Sequence, residues 1–278
     1  MEGPEARVLL LSDLHWDNKF CDRAALKRDL DEAKRTGTPV MLIGDTFCAM
    51  QGKWDKRKDD RQLRPEHRGG NYLDRLVDTA VEWFSPYAEV LAFVSYGNHE
   101  TSIIQHHDTD LLQRFDAGLK QANGYQGQVF SYAGFAKLRL SQRGGKYLAK
   151  SLAWHHGYGG GGPVSRGLMD NARQSRRAYA DVYVSGHIHY RNQDENNIAS
   201  LDLSSNTITL REQIFVRTGT YKRDDGARAQ DMGGWSQEKH GGGERPIGGW
   251  WLELKTVRNC TGGGDSTGLR ARAVATWS

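Results

Sequence analysis

Acidic, amide and imidazole side chains recur in this chain at one kind of place, directly after a short apolar run. The first run ends in "SDLHWD", supplying Asp13 and His15; the second in "IGDT", supplying Asp45; the third in "YGNHE", supplying Asn98 and His99. Two later runs end in "WHHG", with His155 and His156, and in "SGHIH", with His187 and His189. Carboxylate, amide and imidazole donors together suit hard-to-borderline divalent ions such as Mn, Fe(II) or Zn, and the lack of thiolates among them disfavours a structural zinc site. Singly, each piece has a plain alternative. Asp-x-His arises by chance, a lone histidine is more often a hydrogen-bonded residue than a ligand, and "GD" and "GN" are ordinary turn dipeptides. "GHIH" says more, because alternate residues of an extended segment place both imidazoles on one side. The conjunction of five such segments points to one shared centre.

The elements that must position these residues can be read from periodicity. "RVLLLSD" (7–13), "PVMLIGD" (39–45) and "EVLAFVSYGN" (89–98) are short continuous apolar runs typical of buried strands. Between them, "DRAALKRDLDEAKRTG" has a helical apolar face, with Asp22 as N-cap and Gly37 as stop, and "NYLDRLVDTAVEWFSPY" forms an amphipathic helix ended by Pro86. This β-α-β-α-β order predicts an α/β fold with a parallel sheet, whose ligands bind at the carboxyl ends of the strands. The second half is richer in strands: 129–141, 146–156, 181–189, 206–221 and 248–259, interrupted by a helix at about 166–180. Two facing sheets with helices outside satisfy both halves. A single domain is expected over 1–261, with a glycine-rich excursion at 224–247 and a poorly ordered tail at 262–278.

The chain has 278 residues, 37% hydrophobic and 26% charged, with a net charge of +4. These values fit a folded enzyme-sized chain and exclude a disordered one. No run approaches the roughly 20 apolar residues of a membrane helix, so no membrane partner is expected. "MEGPEARVLLLSD" is acidic with a short apolar run, unlike a secretory signal, and three cysteines (Cys21, Cys48, Cys260) do not make a disulfide framework. A cytoplasmic location is the expectation.

In their order, D-x-H, G-D, G-N-H-E, an HH-G segment and G-H-x-H resemble the calcineurin-like metallophosphoesterase family over residues 13–189, with every expected metal position filled. The resemblance implies a four-layer α/β/β/α sandwich of two facing mixed β-sheets, with a dinuclear metal site at the strand carboxyl ends. It implies that Asp13, His15 and His189 hold one ion, that Asn98, His187 and one of His155 and His156 hold the other, and that Asp45 bridges them. Within the histidine pair it favours His155. The ions would be divalent transition metals: Mn, Fe or Zn, with Ni or Mg as alternatives. The implied activity is hydrolysis of phosphate esters by a two-metal, bridging-hydroxide mechanism. Two ions about 3.5–4 Å apart clamp the phosphoryl oxygens and lower the pKa of a shared water. A carboxylate such as Asp45 has the lone pairs to bridge, and Asn98 adds a ligand without adding charge. His99 would be the catalytic proton donor to the leaving alkoxide, or a polariser of the phosphoryl oxygen. Asn98 and His99 would contact substrate, and Thr218 to Tyr221 of "VRTGTY" would neighbour the site, with Tyr221 a substrate contact.

A phosphodiester is favoured over a monoester by the basic balance and by "KWDKRKDDRQLRPEHR". That stretch reads either as a solvated loop or as a basic lip in which Lys53, Lys56, Arg57, Lys58, Arg61 and Arg64 touch an extended phosphodiester. A DNA or RNA nuclease and a non-catalytic metal-binding interaction scaffold are the alternatives; the intact set, His99 with Asp45 and Asn98, separates catalyst from scaffold. "QHHD" at His106–Asp108 reads as a solvated loop, and the glycines after His156 as room for a bulky ester.

Overall fold

The computed structural model describes residues 6–50, 58, 62–122, 124–141, 147–160, 167–223, 245–259 and 266–276. In chain order the elements are β1 (Ala6–Leu11), α1 (Arg23–Thr36), β2 (Val40–Ile43), α2 (Tyr72–Phe84), β3 (Leu91–Ser95), α3 (Asn98–His107), α4 (Leu111–Leu119) and β4 (Val129–Phe130). They continue as β5 (Ala133–Ser141), β6 (Tyr147–His155), α5 (Leu168–Arg177), β7 (Val182–Ser185), β8 (Asn192–Asp202), β9 (Thr207–Arg217), β10 (Trp250–Asn259) and β11 (Ser266–Ala275). Two mixed sheets result, ordered β11-β10-β1-β2-β3-β4 and β5-β6-β7-β9-β8. β1 to β4 pair in parallel, as do β6, β7 and β9; β10, β11, β5 and β8 are antiparallel additions.

The apolar runs are continuous because both faces of each sheet are covered. Val8, Leu10, Met41, Ile43 and Phe93 of the first sheet meet Leu152, Trp154, Val182, Val184, Ile214 and Val216 of the second, forming the core between the sheets. Leu9, Leu11 and Leu42 point the other way, into Leu26, Leu30, Leu76, Ala80 and Phe115 of α1, α2 and α4. Outside the second sheet, Tyr183 and Phe215 stack at 4.6 Å with planes 6° apart, on the α5 side. The layers are therefore α/β/β/α. The helix ends follow their caps: Asp22 accepts the Ala25 amide at 2.9 Å and Gly37 closes α1 at φ 62°. Among the described residues no helix is long and apolar enough to cross a membrane.

Three segments depart from the sequence reading. The stretch after the third strand end is two helices: "QHHD" closes α3, and α4 opens on Asp110, which accepts the Gln113 amide at 3.0 Å. β8, "NQDENNIASLD", has no apolar alternation, and its extended form is set by pairing along its whole length with β9. The expected tail at 262–278 holds β11, which pairs with β10 from Trp250↔Ala275 to Asn259↔Ser266 and buries Ala271 and Ala273. Alanine carries too weak an apolar signal to mark a strand. Of the expected excursion at 224–247, residues 224–244 lie outside the described residues, and Ile247 bridges Thr220.

Deleting residues 262–278 should destabilise the protein by about 2 kcal/mol or more, through lost ladder hydrogen bonds and buried methyl groups. Urea unfolding checks this; an unchanged midpoint would show that β11 adds nothing to the sheet.

Candidate metal centre

β1, β2 and β3 end side by side in the first sheet, and β6 and β7 do so in the second. The two sets of ends meet. Asp45, after β2, places Oδ2 at 3.1 Å from His156 Nε2, after β6. His156 Nε2 also lies 4.0 Å from Asp13 Oδ1, and Asp13 Oδ1 lies 3.3 Å from His189 Nε2. His15 and His189 bring their Nε2 atoms to 3.1 Å, and His187 Nδ1 lies 2.7 Å from Asn98 Oδ1. Among the described residues, three groups of donor atoms gather, each with its atoms within 4.8 Å of one another: Asp13, His15 and His189; Asp45, His156 and His187; and His15, Cys48 and His99, of which the first two are built from the acid and imidazole residues alone.

The backbone is bent to achieve this. Asp13, His15, Asp45, His187 and His189 all have positive φ, between 45° and 74°, a conformation that costs non-glycine residues energy and collects at functional sites. The two histidines of "GHIH" are therefore turn residues beyond β7 and do not alternate along a strand. Hydrogen bonds hold the bends at Asp13, His15, Asp45 and His187. Glu100 is buried and accepts the amides of Asp45 at 3.1 Å, Phe47 at 2.9 Å and Gly97 at 2.8 Å, tying the second and third strand ends together. Asp13 Oδ2 accepts the His187 amide at 2.8 Å, and Thr220 Oγ1 donates to the Asp13 carbonyl at 2.8 Å. Glycine is required where these turns touch. A Cβ on Gly97 would sit 2.1 Å from Asp45 Oδ1, and one on Gly44 2.3 Å from His156 Nδ1.

The charges are mutually dependent. Burial alone disfavours ionised Asp45 and Asp13, yet His156, with His99 or His189 beside it, holds both below the usual carboxylate range. Burial likewise opposes a charged His156, but Asp45 and Asp13 push it up to about 10. Burial and neighbouring histidines keep His15 well below its ordinary value, and burial lowers His187, so both favour the neutral, metal-ligating form. Burial and the Asp45 charge push Glu100 up to about 8. The donor set fits divalent ions. Buried Asp13 Oδ1, His15 Nδ1 and His156 Nε2 have no well-formed hydrogen bond among the described residues, an expensive state for polar atoms unless another group satisfies them.

Of the two adjacent histidines, the structure turns the favoured His155 away and brings His156 in. Leu152 and Trp154 of β6 face the core between the sheets, so the pleat carries position 156 to that side and 155 to the other. His155 instead lies 3.3 Å from Arg177 Nη1. Tyr221 also departs from expectation: it is fully buried, donates its hydroxyl to Asp29 Oδ2 at 2.6 Å, and gives the site only its amide, 3.1 Å from the Asp13 carbonyl. Arg57, with Lys53, Lys56 and Arg61, lies outside the described residues; Arg64 is an internal anchor, donating to the carbonyls of Asn18 at 3.0 Å and Cys21 at 2.8 Å. Gly157, at φ 124°, serves close packing against His187, whose Cβ would be 2.7 Å from an added methyl carbon. Sequence reasoning left Glu100 without a fixed role, although a glutamate three residues after Gly97 at a helix start is a capping signal.

A family model described as calcineurin-like phosphoesterase matches residues 6–191. No curated protein matches the chain significantly. Among solved structures, the calcineurin-like phosphoesterase YfkN from Bacillus subtilis is similar at 10% identity, covering 98% of this chain and 90% of that one with a TM-score of 0.40. GAP50, the anchor in the inner membrane complex of Plasmodium, is similar at 13% identity, covering 98% and 84%, with a TM-score of 0.45.

Two substitutions test the geometry by calorimetric metal titration. His156→Ala should weaken binding more than about 100-fold while His155→Ala stays within about twofold; the reverse order would refute the assignment. Gly97→Ala, which touches no ion, should cost at least about tenfold by displacing Asp45.

Proposed function

The chain belongs to the calcineurin-like phosphoesterase family, a family of metal-dependent phosphoesterases, and on that premise we propose that it hydrolyses phosphodiesters at the centre formed by its strand ends. The observation that carries the proposal is the pair of donor groups, Asp13/His15/His189 and Asp45/His156/His187, with Asn98 against His187. These residues would hold two divalent transition-metal ions, Asn98 with the second group and Asp45 shared between them. When bound, such ions supply Lewis acidity toward the phosphoryl oxygens and lower the pKa of water. Mn, Fe and Zn suit the donors best, with Ni or Mg as alternatives.

The chain's own part is to position and to move one proton. His99 opens α3 directly after Asn98, and its amide donates to Asp45 Oδ1 at 3.0 Å. Its Nδ1 lies 2.5 Å from the Cys48 carbonyl, which only accepts, so Nδ1 carries a proton. Nε2 then faces the centre, 3.9 Å from Asp45 Oδ2. From there a protonated Nε2 can give its proton to the leaving alkoxide. Asn98 and His99 are the substrate contacts we assign.

A diester is supported by the rim beside His155. Exposed Arg177 stacks 4.8 Å from the Tyr158 ring and Arg173 5.7 Å from it, while the next residue, Gly159, places its carbonyl 2.9 Å from His187 Nε2. Guanidinium groups there can meet a phosphate oxygen or the second ester arm.

His99→Ala should retain metal yet lose about 100-fold or more in kcat, most with poor leaving groups. Equal loss across leaving groups would refute its role as acid. The function itself is tested with a chromogenic diester, a chromogenic monoester, cyclic nucleotides and single- and double-stranded DNA, each with Mn, Zn, Ni or Mg. Metal-dependent turnover fastest on the small diester supports the proposal, turnover confined to DNA favours a nuclease, and metal binding without any turnover leaves a scaffold.

A further inference from the structure

The loop after β1 carries a second buried carboxylate that the metal centre does not use. Asp17 lies two residues beyond His15, is 2% exposed, and turns away from the donor groups. Its Oδ1 accepts the amide of Cys48 at 2.5 Å and its Oδ2 the amide of Ala49 at 3.0 Å. Tyr72, the first residue of α2, donates its hydroxyl to the same Oδ2 at 2.7 Å. Ala49 has φ 47°, so the two successive N–H groups curl around the carboxylate as an anion-binding nest.

The Ala49 amide and the Cys48 carbonyl are the two ends of one peptide group. That carbonyl is the acceptor for His99 Nδ1–H at 2.5 Å. A continuous chain therefore runs from the Asp17 carboxylate through the Ala49 N–H, across the peptide to the Cys48 oxygen, and on to the imidazole. A negative charge on the N–H side of a peptide polarises its carbonyl, and linked hydrogen bonds strengthen one another in a low-dielectric interior. We propose that Asp17, seated by Tyr72, is a positioning residue for His99, acting through the Cys48–Ala49 peptide as the carboxylate of a peptide-bridged acid–histidine pair.

Two consequences follow for the proton transfer assigned to His99, on which this inference rests. The polarised carbonyl holds the proton on Nδ1, so Nε2 is always the nitrogen aimed at the centre. It also sets the direction of transfer: the proton given to the leaving oxygen comes from Nε2–H, the product is the neutral Nδ1–H ring, still bonded to Cys48, and the leaving group departs as an alcohol. Asp17 itself gains no proton. The carboxylate further fixes the strained turn that places the carbonyl, and Tyr72 ties that turn to α2.

The test uses the full chain with Asp17→Asn, which removes the charge at nearly constant shape, and Tyr72→Phe, a milder change that keeps the pair measurable if Asp17→Asn does not fold. In metal-free protein, nitrogen-15 NMR of the histidine rings should show His99 as the Nδ1–H form with a far-downfield, slowly exchanging proton. That proton should move upfield and exchange faster in both variants. In metal-loaded protein, kcat on diesters with poor leaving groups should fall about tenfold in Asp17→Asn and less in Tyr72→Phe, with KM, metal content and turnover of good leaving groups unchanged. An unshifted His99 Nδ1 proton, or a loss equal across all leaving groups, would overturn the inference. Because the NMR signature needs no turnover, it stands or falls apart from the phosphodiesterase reading, which fails only if the wild-type protein shows no metal-dependent hydrolysis.

Discussion

Asp45 meets His156 across the gap between the two sheets, and the rest of the structure depends on that contact. One residue follows β2 and the other β6, so neither sheet alone builds the centre. The pair is buried, with Asp45 1% and His156 0% exposed, and a buried ion pair is tolerable only when its remaining hydrogen-bonding capacity is met. His156 Nδ1 meets this by contacting the carbonyl of Ile43, at the end of β2, at 2.8 Å. The imidazole thus hydrogen-bonds the backbone of the opposite strand end through Nδ1 and forms an ion pair with its side chain through Nε2. Sliding one sheet by a residue would break the hydrogen bond and the ion pair and place an unpaired charge in the core.

Around that contact, backbone strain and glycine clearance act together. Five strand-end residues sit at positive φ, and three carboxylates accept main-chain amides of the surrounding turns: Asp13 from His187, Asp45 from His99, and Glu100 from Asp45, Phe47 and Gly97. The same side chains that gather the donor atoms also staple the loops that carry them. The site is thereby preorganised, its imidazoles held close together by the turns that carry them.

Much of this was legible in the sequence because chemistry restricts residue type more tightly than structure does. Five segments of acid, amide and imidazole after apolar runs marked the site, and β1, β2 and β3 were plain because both of their faces are buried. What stayed hidden was decided by partners. β8 and β11 are strands because β9 and β10 pair with them. α3 was masked by its own first turn, whose Asn98, His99 and Glu100 read as site residues before they read as a helix start. The choice between His155 and His156 turned on the phase of the β6 pleat; Leu152 and Trp154 carried that phase, but which face of β6 meets the first sheet is a tertiary fact. Tyr221 points into the core because Asp29, on α1, offers its hydroxyl a buried acceptor.

The central claim is that the strand ends of both sheets form one dinuclear centre. Electron paramagnetic resonance during titration of metal-free protein with Mn²⁺ addresses it most directly. The account predicts uptake of two equivalents, with the spectrum of an exchange-coupled pair growing in place of isolated Mn²⁺. A single equivalent, or two ions with uncoupled spectra, would contradict it.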